Sequence, residues 1–116
     1  MRFELTNERT GAVVARDAYR AGNPLSRMRG LLGRRSLSAG EAIILEPAVS
    51  IHMFFMRFAI DALFLDRSGA VLKVVRDLRP WRLASAKGAR SVIEMAAGST
   101  AGLDLQPGDR IVREPR

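Results

Sequence analysis

Hydrophobic and polar positions along this chain alternate in short runs broken by glycine, proline and small polar residues. Residues 3–6, Phe3-Glu4-Leu5-Thr6, alternate apolar with polar, and residues 11–15 are small and β-branched. The polar Asn7-Glu8-Arg9-Thr10 between them predicts an opening hairpin. Asn23-Pro24 marks a turn, after which Ser26 can cap a short helix that Gly33 ends. Within it Leu25, Met28, Leu31 and Leu32 fall at helical spacing, while Arg27, Arg29, Arg34 and Arg35 lie off that face.

Ala42-Ile43-Ile44-Leu45 reads as a buried strand closed by Pro47, and residues 51–58 are aromatic-rich and strand-like, with Arg57 near a bend. Residues 60–65 and 70–75 flank Asp66-Arg67-Ser68-Gly69, the clearest hairpin signal in the chain. Pro80-Trp81 is irregular or at an edge, residues 91–96 form another strand, and residues 100–105 form a helical turn after a Ser/Thr cap. Pro107-Gly108-Asp109 turns into a last strand over residues 110–113. The expected fold is therefore a predominantly β domain of the α+β class, with about seven short strands and one or two short helices. Alternating βαβ units do not fit, since no room is left for crossover helices of about a dozen residues.

Length and composition agree with this pattern. The 116 residues suit a single domain over 1–116, and 47% hydrophobic with 27% charged residues is enough for a packed core. The absence of cysteine excludes disulfides, thiolate nucleophiles and sulfur-ligated zinc. The first residues carry an acid and no long apolar run, so a cytoplasmic protein without a signal peptide is expected. The longest apolar stretch, residues 51–65, is interrupted by His52, Arg57 and Asp61, which predicts no membrane span.

Charge is the one extreme feature. Nineteen basic residues against 12 acidic ones give a formal charge of +7, and only Lys73 and Lys87 are lysines. Arginine suits phosphate and carboxylate partners. The basic residues are nevertheless spread along the chain, so nucleic-acid binding stands as an alternative that is not favoured.

The distinctive segment runs over residues 52–66 and contains Met56-Arg57-Phe58, then Ile60-Asp61. It is joined by Gly30-Leu31-Leu32-Gly33-Arg34, Leu65-Asp66 with Gly69, Pro80-Trp81-Arg82, Val92-Ile93-Glu94, Gly98, Gly102-Leu103 and Gly108-Asp109. Together these spaced motifs resemble the domain-of-unknown-function 192 family over nearly the whole chain. The resemblance implies a compact, mainly β domain, with some family members exported behind a leader. It brings no activity, cofactor or catalytic set.

The residues themselves offer several candidates. His52 is the sole histidine, a candidate acid–base group but a poor basis for a metal site, so no metal or cofactor is expected. A soft copper site with Met53 and Met56 is disfavoured, because strand spacing would put the two methionines on opposite faces; both read more simply as core fillers. Asp61 shares a strand face with Leu63 and Leu65 and so needs a partner. Arg57, Arg82, His52 or backbone N–H groups could supply it. Trp81 beside Arg82 suits a stacking surface or a core lid, and Glu94 between Ile93 and Met95 is expected to face solvent. The glycines around residues 98–108 invite a phosphate-loop reading but lack the required motif.

The leading expectation is a non-enzymatic binding or accessory module with a cleft near residues 56–61 and Trp81. Arg57 and Arg82 would hold an anionic group, Asp61 would orient one of them, and Trp81 would stack. The partner would be a small anionic ligand or a protein. The alternatives are a small acid–base hydrolase using Asp61 and His52, and a charge-driven nucleic-acid binder.

Overall fold

The computed structural model describes residues 1–21 and 37–116. The expected helix over residues 26–32 lies outside the described residues. Nine strands follow in order: β1 Arg2–Asn7, β2 Val13–Ala21, β3 Glu41–Leu45, β4 Ser50–His52, β5 Ile60–Leu65, β6 Val71–Leu78, β7 Leu83–Ser85, β8 Ser91–Ala96 and β9 Ile111–Pro115. Seven form one sheet in the order β6-β5-β8-β3-β2-β1-β9, and β4 pairs with β7 in a small second sheet.

The opening hairpin forms as β1–β2, and the Asp66–Gly69 turn joins β5 to β6. Asp66 builds that turn with its own side chain, accepting from Ser68 N, Ser68 Oγ and Ala70 N at 2.7–3.0 Å. The two outer strands of the large sheet approach each other at one corner. There Ala70 bridges Arg110, and Ile111 N donates to Gly69 O at 2.9 Å. The sheet is therefore curled rather than open.

Three expectations need correction. Among the described residues there is no helix: residues 97–102 form turns, with Ala101 N bonded to Gly98 O and Leu103 N to Thr100 O. Those short-range bonds do not propagate into a helical ladder. Residues 51–58 are not one strand, since only Ser50–His52 pairs and a turn takes over at Met53. The exclusion of crossovers was also too strict, because β2 and β3 are parallel, with Asp17 opposite Glu41 and Ala21 opposite Leu45. Residues 22–40 make that connection, which is long enough for a crossover.

The core lies on both faces of the large sheet. Ile60, Ala62, Phe64, Val92 and Ile43 pack on one face with Ile51, Met53 and Met56. Leu63, Leu65, Ile93, Met95 and Leu5 pack on the other. All six residues of β5 are buried. This double burial explains Glu94, which is fully buried at 0% exposure rather than facing solvent. Alternation places a polar residue outward only where one face meets water.

One buried charge, Asp109, belongs to the frame. Asp109 accepts from Asn7 Nδ2 at 3.0 Å, Arg9 Nε at 2.7 Å and Gln106 N at 2.8 Å. It clamps the first hairpin to the last turn. The Arg9 guanidinium, followed by the Gln106 N–H, holds its carboxyl well below the usual carboxylate range.

Candidate functional site

The route to Trp81 begins at Asp61. Strand β6 carries a bulge opposite it: Ile60 faces Leu78 while Ala62 faces Val75, so Arg76 and Asp77 share the single place opposite Asp61. Asp77 has a left-handed φ of 55°. Its N–H donates to Asp61 Oδ1 at 3.0 Å, which fixes the bulge. Oδ2 accepts from Gly98 N at 3.2 Å, Thr100 N at 3.0 Å and Thr100 Oγ1 at 2.6 Å. Arg76 Nε in turn donates to Thr100 Oγ1 at 3.2 Å.

Asp61 is 1% exposed, so its carboxylate had to find donors within the protein. Burial pushes the carboxyl up, but the Thr100 hydroxyl and the N–H groups of Asp77, Thr100 and Gly98 together hold it below the ordinary range. None of Arg57, Arg82 and His52 is its partner. The glycine-bearing turn that invited a phosphate reading directs its N–H groups at the protein's own carboxylate instead.

Downstream of the bulge, Arg79-Pro80-Trp81 turns back toward the second sheet. Trp81 N donates to Met53 O at 2.8 Å, and Met53 N donates to Arg82 O at 2.8 Å. These two bonds bring the segment after β4 against the segment before β7. A set of aromatic rings results. His52 and Phe54 lie 4.8 Å apart between centroids, Phe54 and Trp81 5.8 Å, and Phe55 and Trp81 5.0 Å with the rings at 61°.

This set is not buried. Phe55 is 67% exposed, Trp81 59% and Phe54 38%, and Leu83 at the start of β7 is 67% exposed. Large apolar side chains gathered in the open mark interaction surfaces far more often than isolated ones do. Trp81 is a surface residue, not a core lid. Phe55 and Trp81 also have φ of 65° and 69°. Left-handed backbone at a non-glycine residue costs about 1–2 kcal/mol, and such positions gather at ligand contacts and switch regions.

Arg57 and Arg82 are exposed beside these rings in sequence. Among the described residues neither guanidinium has a hydrogen-bond or ion-pair partner, whereas Arg79 is held by Asp77 at 3.3 Å. The structure thus puts Trp81 with Phe54, Phe55 and His52, leaves Arg57 and Arg82 exposed next to them in sequence, and buries Asp61 in the core. Phe54, Phe55 and Leu83 were missed as surface residues. The aromatic run is visible in the sequence, but its strand-like pattern over residues 51–58 does not show that the chain turns at residues 54–55 and leaves these rings exposed. Met53 and Met56 are core fillers, at 0% and 7% exposure, and both join the same core face because the chain turns between them.

Two clefts are also present, the first of them sharing Leu83 with the exposed apolar set. A cleft of about 370 Å³ is lined by Ser50, Ile51, Lys73, Leu83, Ala84 and Ser85. A second, of about 230 Å³, lies between the Asp66–Gly69 turn and the Glu46–Arg113 pair, which is closed at 2.8 Å. Among the described residues, no group of three His, Cys, Asp or Glu side chains could hold a metal ion.

Comparison with known proteins matches this architecture. A family model for DUF192, an uncharacterized ACR, matches residues 5–113. A UPF0127 protein of Thermococcus sibiricus is 36% identical over 107 residues, covering 88% of this chain and 66% of that relative. The chain thus spans just under two thirds of that relative's length. Two solved structures share the fold at a TM-score of 0.78. One, from Sinorhizobium meliloti, carries a provisional transcription-regulator description; it is 21% identical over 97% of this chain and 92% of its own. The other, a protein of unknown function from Novosphingobium aromaticivorans, is 22% identical over 97% of this chain and 84% of its own. At these identities the likeness concerns the fold alone.

Proposed function

We propose that this chain, which belongs to the DUF192 family, is a non-enzymatic binding module that takes an anionic partner bearing an aromatic or apolar group. The carrying observation is the exposed Phe54–Phe55–Trp81 set, next to which in sequence stand Arg57 and Arg82, both exposed and without a hydrogen-bond or ion-pair partner among the described residues. Arg57 and Arg82 supply charge-assisted hydrogen bonds to the anion, and the rings supply apolar and stacking contact. Asp61 does not touch the partner in this reading. It is a positioning residue that fixes the bulge from which the Trp81 turn departs.

The acid–base alternative draws no support from this geometry. Asp61 is buried, its acceptors are taken by residues 77, 98 and 100, and His52 is exposed in the second sheet. A general acid–base pair needs hydrogen-bond reach.

The test uses anilinonaphthalene sulfonate, an aromatic anion whose emission reports binding. It should bind the native protein with energy transfer from Trp81. Arg57→Ala and Arg82→Ala should each weaken that binding about tenfold or more, the factor for one lost charge-assisted hydrogen bond. Binding unchanged in both variants would contradict the proposal.

A further inference from the structure

We propose that the partner of the Trp81 surface is an anionic membrane surface, on which the protein docks peripherally; this rests on the binding reading above and names its occupant. The apolar residues sit at turns and at a strand start, not along the wall of a groove. Phe55 and Trp81 are in turns, and Leu83 opens β7. Exposures of 67%, 59% and 67% leave most of each side chain available to enter an apolar phase. Tryptophan and phenylalanine suit the interfacial zone of a bilayer, where arginine heads meet lipid phosphates while their stems follow apolar surface. Arg57 and Arg82 are placed for that role. The whole chain carries +7, so an extended anionic surface attracts it at long range.

The side chains favour lipid over single-stranded nucleic acid. Base stacking needs ring faces offered in succession. Here Phe55 meets Trp81 edge-on at 61°, and Phe54 is tilted 30° from Trp81. Leu83, as exposed as Phe55, has no ring to stack. An aliphatic side chain at the same end of the small sheet contributes to insertion and nothing to stacking. The presentation is also fixed: the bonds joining Met53 to Trp81 and to Arg82 hold the rings outward before any surface is met.

Trp81 is the only tryptophan, so its emission reports this surface directly. The native chain is titrated with vesicles of phosphatidylcholine mixed with phosphatidylglycerol, with vesicles of phosphatidylcholine alone, and with oligothymidylate. A blue shift and partitioning onto the anionic vesicles are expected, with weak partitioning onto neutral ones. Co-flotation of Arg57→Ala/Arg82→Ala should fall about twenty-five-fold, at about fivefold per arginine. Phe55→Ala/Leu83→Ala should also fall by at least tenfold, and circular dichroism should show both variants folded. No shift with anionic vesicles overturns the proposal, as does partitioning that both variants retain. Quenching by oligothymidylate without vesicle binding also overturns it and identifies nucleic acid as the occupant. In each of these cases the binding reading survives if anilinonaphthalene sulfonate still needs Arg57 and Arg82, and falls if it does not.

Discussion

Asp61 ties three separate parts of this architecture together, β5, the β6 bulge at Asp77 and the turn at residues 98–100. Replacing it with asparagine turns one acceptor oxygen into a donor facing Thr100 and Gly98, which already donate there at 2.6–3.2 Å. Asp61→Asn should therefore destabilise the fold by about 2–4 kcal/mol, measured by urea unfolding. Exposed Arg57→Ala should stay within about 0.5 kcal/mol of the native protein. A native-like Asp61→Asn midpoint would show that the carboxylate is not the anchor described. The need for a partner at Asp61 was legible in the sequence, because an acid shared a face with Leu63 and Leu65. Backbone N–H groups were among the candidate partners, but which ones was not legible. Side-chain candidates can be read from a sequence, whereas the N–H groups of residues 98 and 100 become donors only once a distant turn folds against β5.

Two elements place the surface, the β5–β6 hairpin and the small β4–β7 sheet. The hairpin was legible because its turn residues and flanking runs agree locally. Gly69 at its tip has a φ of +88°, and a Cβ there would meet Ile111 O at 3.2 Å. Gly69→Ala should thus lower stability by at least about 1–2 kcal/mol, seen as a lower melting temperature. At the bulge, Asp77→Val forces a β-branched residue into φ 55° and should cost a similar amount, about 1–2 kcal/mol. It should also weaken binding of anilinonaphthalene sulfonate by moving the Trp81 turn. The β4–β7 sheet was not legible, since three-residue strands leave no period to read. The same rule failed at Glu94 for the opposite reason: β8 is covered on both faces, so its alternation carried no in–out information.

Across the whole molecule, several carboxylates are held below their ordinary range. Thr100 and backbone donors outweigh burial at Asp61, Arg113 is the chief cause at Glu46, Ser68 at Asp66 and Arg9 at Asp109. A carboxyl whose folded pKa is depressed binds its proton more weakly when folded. Its stabilisation is full above the unfolded value near about 4 and is lost as pH falls through the folded value. Stability should be flat from about pH 5 to 8 and decline below about pH 4, with repulsion among 19 basic residues steepening the fall. Asp109→Asn should be less stable at neutral pH and show a shallower acid decline, checked by urea midpoints across pH. An unchanged acid slope would remove Asp109 from this account.

The central claim, that recognition occurs at the rings around Trp81, is tested most directly by mapping amide shifts in a nuclear magnetic resonance titration with anilinonaphthalene sulfonate. The account predicts the largest shifts over residues 52–58 and 79–83, with the rest of the sheet unmoved. Shifts centred on Lys73 and Ser85, or on Glu46 and Arg113, would contradict it and move the binding surface to one of the two polar clefts.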